Sequence, residues 1–504
     1  TGTITPSHTE GARYDGDTGV QWQYLHSGYG WGTITAFNST TNVDFTVIGR
    51  IPSTAVGSGN ASTRWAFGSW SDENGWPTHV TYFRERKALA RGTRIWGSVP
   101  SDFNNFAQRD AGIIAADSAF DIDIRSGVND EIQWIVASSD LLVGTEGTEF
   151  SVGEISSADP LGPDNIAALA GPGYGSRRVQ PAVINDAVMY VLPSGRVVRE
   201  LRFTFETDGY SALNRTAFSE HIAKGQVIQS AYQREPESIY WAACNNGDLL
   251  SMSYEREHDL VAWAKHLVGG AFGSTTNAIA ESVCVIPSPD GVRDQLHLIA
   301  KLTINSQTKR YYGYLEDHWD PDEDDAGDQF YVDWGLTYSG SATSILTNLH
   351  HLEGESVSVW GGTTGNYRDL GDFEVTNGQV DLGEASVTKA QVGLPYTATL
   401  ESMNMVRPGV LARVVSVYVR FISTISAIWQ TVTQREQSSE TSTAREFNLG
   451  NVTVSAAAEA VSRLVKAPGE SGNGRELRWI ITHNRPTYCN VAGVIPALAT
   501  ESGG

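Results

Sequence analysis

Apolar and polar positions fall in blocks along this chain. Residues 131–150, EIQWIVASSDLLVGTEGTEF, show the form most fully. An apolar run with Ile132, Trp134, Ile135 and Val136 meets a polar break at Ser138-Ser139-Asp140, and a second run, Leu141-Leu142-Val143, ends at Gly144 and Gly147. Neither run alternates cleanly with polar residues, so the pattern predicts an antiparallel hairpin buried on both faces.

The same shape recurs between Trp65 and Leu315. Runs at 80–83 and 88–96 flank the charged break Arg84-Glu85-Arg86-Lys87. Runs at 182–184 and 188–192 flank Asn185-Asp186, and 197–205 follows Pro193-Ser194-Gly195. Runs at 239–244 and 249–254 flank 245–248, with 261–266 after them; 283–286, 296–300 and 311–315 are separated by turns at 287–294 and 305–308. Such turns recur about every 50 residues, the spacing of four-stranded propeller blades, which bury their faces only by packing on neighbours. About five units fit, short of a comfortable closed ring.

The flanks are strand-rich as well. At the N-terminus 31–37 and 43–48 read as a hairpin, with a loop over 56–62. Segment 316–328, EDHWDPDEDDAGD, holds eight carboxylates in thirteen positions. Asp320, Asp322 and Asp324 alternate as in calcium loops, but Asp325 and Tyr331 stand where such a loop needs Gly and Glu, so a solvated interdomain loop is expected. Short strands follow at 357–360, 373–375, 379–382 and 387–392, with Asn377-Gly378 a hairpin turn signal. Val415, Val417, Val419 and Phe421 are expected on one strand face, and 434–444 as a polar loop. Segment 451–466 is open between two readings. Ala457, Ala460, Val461, Leu464 and Val465 have helical spacing stopped by Pro468-Gly469, whereas Val452-Thr453-Val454 favours a strand. Segments 477–482 and 488–498 return to strand.

The fold class expected is therefore all-β: a propeller-like body of repeated antiparallel sheets with additional β-barrel or sandwich domains. Its divisions are an N-terminal β unit at 1–62, the propeller-like body at 63–315, a β domain at 316–400 beginning with the acidic loop, and a β-rich region at 401–504.

Composition changes this picture little. A length of 504 residues suggests about three domains, and 40% apolar and 19% charged residues are ordinary globular values. The 51 glycines suit many turns. No apolar run approaches the roughly 20 residues that span a bilayer. The opening TGTITPSHTEG has no Met and no signal segment, so a processed or truncated start is expected. A net charge of −22 argues against a basic surface that grips nucleic acid. Cys244, Cys284 and Cys489 form neither a disulfide framework nor a metal pattern and read as small apolar residues. Sequons at Asn38, Asn60, Asn214 and Asn451 are taken as chance matches.

No catalytic, cofactor or metal residue is assigned, and the chain is expected not to be an enzyme. It has no GxSxG elbow, no phosphate-binding GxxxxGK[ST] loop and no HExxH. His350-His351, if on a strand, would point to opposite faces. Asp121/Asp123 and Glu146/Glu149 imitate a glycosidase carboxylate pair, but 58 acidic residues supply such pairs by chance. The 19 Tyr and 14 Trp could stack sugars, though aromatics serve cores and interfaces more often. Arg84, Arg86, Lys87 and Arg91 form a basic cluster fit for phosphates or for salt bridges to neighbouring subunits or blades.

An ordered series of longer segments carries more weight. It runs through GWPTHVTYF at 75–83, RIWGS at 94–98, DFNNF at 102–106, LLVGTEGTEF at 141–150, YGS at 174–176 and GRVVREL at 195–201. YQREPESIYW at 232–241, YERE at 254–257, HLEG at 351–354 and VGLPY at 392–396 follow in order. The series, covering about residues 64–400, resembles tail nozzle or tail tubular protein B-like virion proteins of short-tailed bacteriophages. The resemblance implies a propeller-like body assembled as a ring, sixfold by expectation, below the portal and adaptor. Such a virion component is assembled in the host cytoplasm and meets tail fibres or spikes. It passes double-stranded DNA through its lumen during ejection without binding it specifically, and it has no membrane-spanning segment. The resemblance brings no catalytic residue and no cofactor. An acidic lumen would let DNA slide where a basic one would hold it. Two alternatives stand beside this reading: a carbohydrate-binding or carbohydrate-active β-propeller, and a tail hub or adhesin of a longer-tailed phage.

Overall fold

The computed structural model describes residues 31–39, 42–49, 56–60, 75–106, 114–125, 131–406, 410–434, 439–448, 461–468 and 473–500, with shorter pieces at 2–4, 21–24, 51, 65–67, 70, 108 and 127. In them the chain is all-β: apart from single 3-10 turns, every element is a strand. No helix among the described residues is long and apolar enough to cross a membrane. The chain forms two compact units, Thr1–Tyr232 and Gln233–Gly504, each described here by itself.

In the first unit Trp31–Ser39 and Asn42–Gly49 form the expected hairpin, with Ile34 opposite Phe45 and both buried. Three four-stranded antiparallel meanders follow. The first contains His79–Phe83, Arg86–Arg91, Arg94–Gly97 and Phe120–Asp123. The run expected at 88–96 is thus two strands, because the chain reverses at Gly92-Thr93. The second contains Ile132–Ala137, Leu141–Thr145, Glu149–Gly153 and Ala167–Ala170. The third contains Ala182–Ile184, Ala187–Val191, Val198–Thr204 and Gly209–Asn214.

The second meander has no solvent face along its two inner strands. Ile132, Ile135, Leu141, Val143, Phe150 and Val152 pack with Phe83, Ala88, Ala90, Ile95 and Phe120 of the first. Trp134, Val136 and Leu142 point the other way and pack with Val188, Tyr190 and Leu201 of the third. Alternate side chains of a strand serve opposite faces, so a sheet between two others needs apolar residues at every position. This is the two-sided burial that 131–150 predicts.

The second unit continues the theme with Ile239–Cys244, Leu249–Glu255 and Leu260–His266, then the three-stranded sheet Ile279–Pro287, Asp294–Ile304 and Gln307–Tyr314. Next comes a sheet in which Val387–Leu394 lies between Asp333–Thr343 and Ser356–Thr363, with Asn366–Glu374 outside the latter. Asn377 and Gly378 do turn the chain with positive φ (55° and 69°) inside the Thr376–Gln379 bridge. The following strand, Val380–Asp381, nevertheless pairs with Ile345–Leu346 instead of closing a hairpin.

The C-terminal region is a sandwich. One layer pairs Ala412–Thr424 with Val461–Pro468 and Asn490–Thr500; the other centres on Ser426–Gln434 and Glu476–His483. Val417, Val419 and Phe421 from the first layer meet Trp429, Leu477 and Ile481 from the second. Val415 is not on their face: it is 49% exposed. A register shift between Val414 and Ser416 inserts one residue and reverses the alternation there.

Residues 434–444 are not simply a loop either, since Ser439–Thr441 pairs with the end of Ser426–Gln434. Of the ambiguous 451–466, residues 451–460, with Asn451, Ala457 and Ala460, lie outside the described residues, and the remainder belongs to strand Val461–Pro468.

Candidate functional site

The carboxylate most withdrawn from water among the candidates is Glu149, which opens Glu149–Gly153 and is 1% exposed. The Tyr174 N–H donates to Oε2 at 3.2 Å and the Ser176 hydroxyl to Oε1 at 3.4 Å. Burial raises its pKa, opposed by hydrogen bonds from the Tyr174 N–H and the Ser176 hydroxyl. The Tyr190 hydroxyl is itself driven up by burial and then by the neighbouring Glu149 charge. Arg199 stacks its guanidinium 3.5 Å from the Tyr174 ring centroid and donates to the Ala212 carbonyl at 2.6 Å. A carboxyl, two phenols, a hydroxyl and a guanidinium thus converge from three sequence regions. They have the chemistry of acid–base catalysis. None of them lines either of the clefts described below, and they tie the second meander to the third.

The other carboxylate candidates are engaged differently. Glu146 is exposed beyond the strand end, so Glu146/Glu149 is not a facing pair. Asp121 pairs with Arg94 at 3.3 Å. Asp123 accepts from Thr93 at 2.6 Å and from Arg125 at 2.5 Å, and these bonds hold it below the usual carboxylate range. Asp123 therefore lacks the raised pKa of a general acid at neutral pH.

The basic cluster divides by burial. Arg84 pairs with Glu154, joining the first meander to the end of the second. Arg86 is 2% exposed and donates to the carbonyls of Ser98 (2.6 Å), Ser118 (2.9 Å) and Leu161 (2.8 Å), so no phosphate can reach it. Lys87 contacts Asn104 and the Phe106 ring.

His350 and His351 lie in a 3-10 turn, His350–Leu352, not on a strand. His351 Nε2 sits 2.8 Å from the Trp334 carbonyl. Cys244 is buried and its thiol is pushed up to about 12, Cys489 is half-buried at about 11, and Cys284 is exposed; all three are free.

Among the described residues, one surface cleft in each unit is lined by both charged and aromatic side chains. In the first unit a cleft of about 620 Å³ is lined by Arg196, Phe218, Glu220, His221 and Lys224 among others. In the second unit a cleft of about 220 Å³ is lined by Glu316, Asp317, Trp319, Asp324, Asp328 and Phe330 among others. The acidic segment folds around Trp319, 7% exposed, whose indole N–H donates to the Asp325 carbonyl at 3.0 Å. Asp320 Oδ1 accepts from the Asp322 N–H at 2.9 Å, and Asp324 Oδ2 from the Asp320 N–H at 2.8 Å. The alternating aspartates therefore shape their own turn. Among the described residues no cluster of His, Cys, Asp and Glu is arranged to hold a metal ion.

No family model matches the sequence, and no curated protein matches it. Similar solved structures include a protein from Lactobacillus plantarum (9% identity, 74% of this chain and 99% of that chain, TM-score 0.28). Another is a glycoside hydrolase family 43 arabinoxylan arabinofuranohydrolase from Bacillus subtilis (9%, 99% and 98%, 0.20). A third is the sialidase of Trypanosoma rangeli (8%, 96% and 94%, 0.27). A likeness of this degree carries no argument about substrate. It does correct the expectation that the chain is not an enzyme, because two of these structures are named as enzymes. The lack of a local motif is no ground for that expectation, since side chains such as Glu149, Tyr174 and Tyr190 meet across sequence distances that no motif records.

Proposed function

We propose that the chain is a subunit of a bacteriophage tail, a nozzle or tail-tube component. Copies join in a ring, sixfold in this reading, around a passage for double-stranded DNA below the portal and adaptor. The observation that carries the proposal is the ordered segment series from Gly75-Trp76-Pro77 to Leu394-Pro395-Tyr396. A net charge of −22 is in keeping with it, because an acidic passage does not retain DNA by counterion release. So are the exposed rings of Phe218 (100%), Phe205 (89%) and Tyr312 (67%), apolar area of the kind that neighbouring subunits cover. Electron microscopy of the purified protein and of virions tests this: a ring with a central passage at the tail is expected. Protein made in infected cells but missing from virions would overturn it.

A second reading, a carbohydrate-binding or carbohydrate-active propeller, is favoured by the smaller cleft, where Asp317, Asp324 and Asp328 stand with Trp319 and Phe330. Carboxylates beside aromatic rings are the groups that hold and cleave sugars. Two of the similar structures are a glycoside hydrolase and a sialidase. A glycan array and a reducing-sugar assay test it. Saturable binding or turnover lost in Asp328→Asn supports this reading; neither activity removes it.

A further inference from the structure

The larger cleft belongs to neither reading as stated. One wall is the turn after Ala187–Val191, which carries Ser194 and Arg196; the other is the segment 217–224. That second wall is firmly seated. Thr216 and Ala223 are fully buried, and Ser219 and Ile222 close successive turns onto Thr216 and Ser219. On this support Phe218 is wholly exposed, with Arg196, Lys224, His221 and Glu220 around it. Arg177 stands at the first wall without lining the cleft, its guanidinium lying against Gly195. Among the described residues no ion pair engages Arg177, Arg196 or Lys224. A protein with 58 acidic and 36 basic residues thus gathers unpaired cations round one bare aromatic ring.

We propose that this cleft receives the acidic turn Asp320-Pro321-Asp322-Glu323-Asp324 of a second copy of the chain. The inference rests on the ring reading above and names the contact that closes it. All five residues of the turn are exposed. The flanking acids are already spoken for: Glu316 and Asp317 pair with Arg293, and Asp328 with Lys389. Among the described residues no cation pairs with Asp322 or Glu323, and the turn is pre-shaped by its own aspartate hydrogen bonds. Pro321 offers an apolar surface to Phe218 while the carboxylates meet Arg196 and Lys224. Opposite charge supplies the orientation and the ring supplies burial.

Charge reversal tests it in the full chain, with assembly measured by analytical ultracentrifugation at two salt concentrations. Arg196→Glu with Lys224→Glu is expected to weaken self-association by about tenfold or more, as is Asp322→Lys with Glu323→Lys. All four positions are exposed, so folding is retained, and the quadruple variant is expected to restore assembly. Wild-type rings that both double variants still form overturn this contact and leave the tail reading standing. Loss of assembly without rescue in the quadruple variant overturns the acidic turn as occupant and points to another anion. A wild-type chain that stays monomeric overturns both.

Discussion

The indole of Trp134 lies over the backbone of Gly144, its partner across the central hairpin; a β-carbon on Gly144 would fall 2.1 Å from Trp134 Cε2. The ring, fully buried, also reaches Tyr190 of the third meander, with centroids 5.7 Å apart. Replacing Gly144 by Ala must displace this ring from a packed layer. A loss of about 1–3 kcal/mol is expected on urea unfolding, whereas Trp134→Ala, which leaves a cavity, is expected to cost about 3–5 kcal/mol. A neutral Gly144→Ala would refute the close approach.

Arg86 is held by three backbone carbonyls, and among the described residues no ion pair engages it. Burial lowers its pKa, and nearby Asp117 opposes the shift. Arg86→Met leaves three acceptors without a donor in a dry site, so a loss of about 3 kcal/mol or more is expected. Arg86→Lys, with no planar fork, recovers only part of it. Thermal unfolding of both variants checks the order.

Asp333 and His266 oppose each other in acid. Burial pushes the Asp333 carboxyl up to about 6, although it accepts from the Gly269 N–H at 2.5 Å. Burial, with help from His318, pulls His266 down to about 4. The folded state holds the Asp333 proton more tightly, so that stability is full at low pH and is lost as pH rises through 6. His266 works in reverse: its contribution is full above its ordinary value and is lost as pH falls towards 4. Each is worth about 3 kcal/mol at most. Asp333→Asn, which keeps an acceptor for Gly269, is expected to make stability fall more steeply with acid. His266→Gln is expected to flatten or reverse that fall. Urea midpoints at pH 4.5, 5.5 and 7 decide it; parallel shifts of both variants would contradict the assignment.

The bulge beside Val415 gives a contrast two positions apart. Val415→Lys meets solvent and is expected to change stability by less than about 0.5 kcal/mol. Val417→Lys puts an ammonium into the sandwich core and is expected to abolish folding of that region. Equal effects would show an unbroken alternation.

What the sequence made legible follows from how local each signal is. The hairpin at 131–150 was readable because both of its faces are dry, leaving an unbroken apolar run on either side of a polar turn. Outer strands such as Ala167–Ala170 and Gly209–Asn214 were missed: half exposed and short, they show neither alternation nor a run. Val415 was misplaced because a bulge leaves no mark in composition. The Glu149 group was only half seen. Sequence sets Glu149 beside Glu146, while its hydrogen-bond partners Tyr174 and Ser176, and the nearby Tyr190, arrive through strand pairing and sheet stacking.

The sheet between its two neighbours has a mechanical corollary. With no wet side along its two inner strands, it cannot peel away singly; to loosen it, one of the flanking meanders must first lift off. Proteases working on the first unit should therefore find nicks at its rim or wholesale collapse, with few stable pieces between. Amide protons along Leu141–Thr145 should be the last of that unit to trade for deuterium.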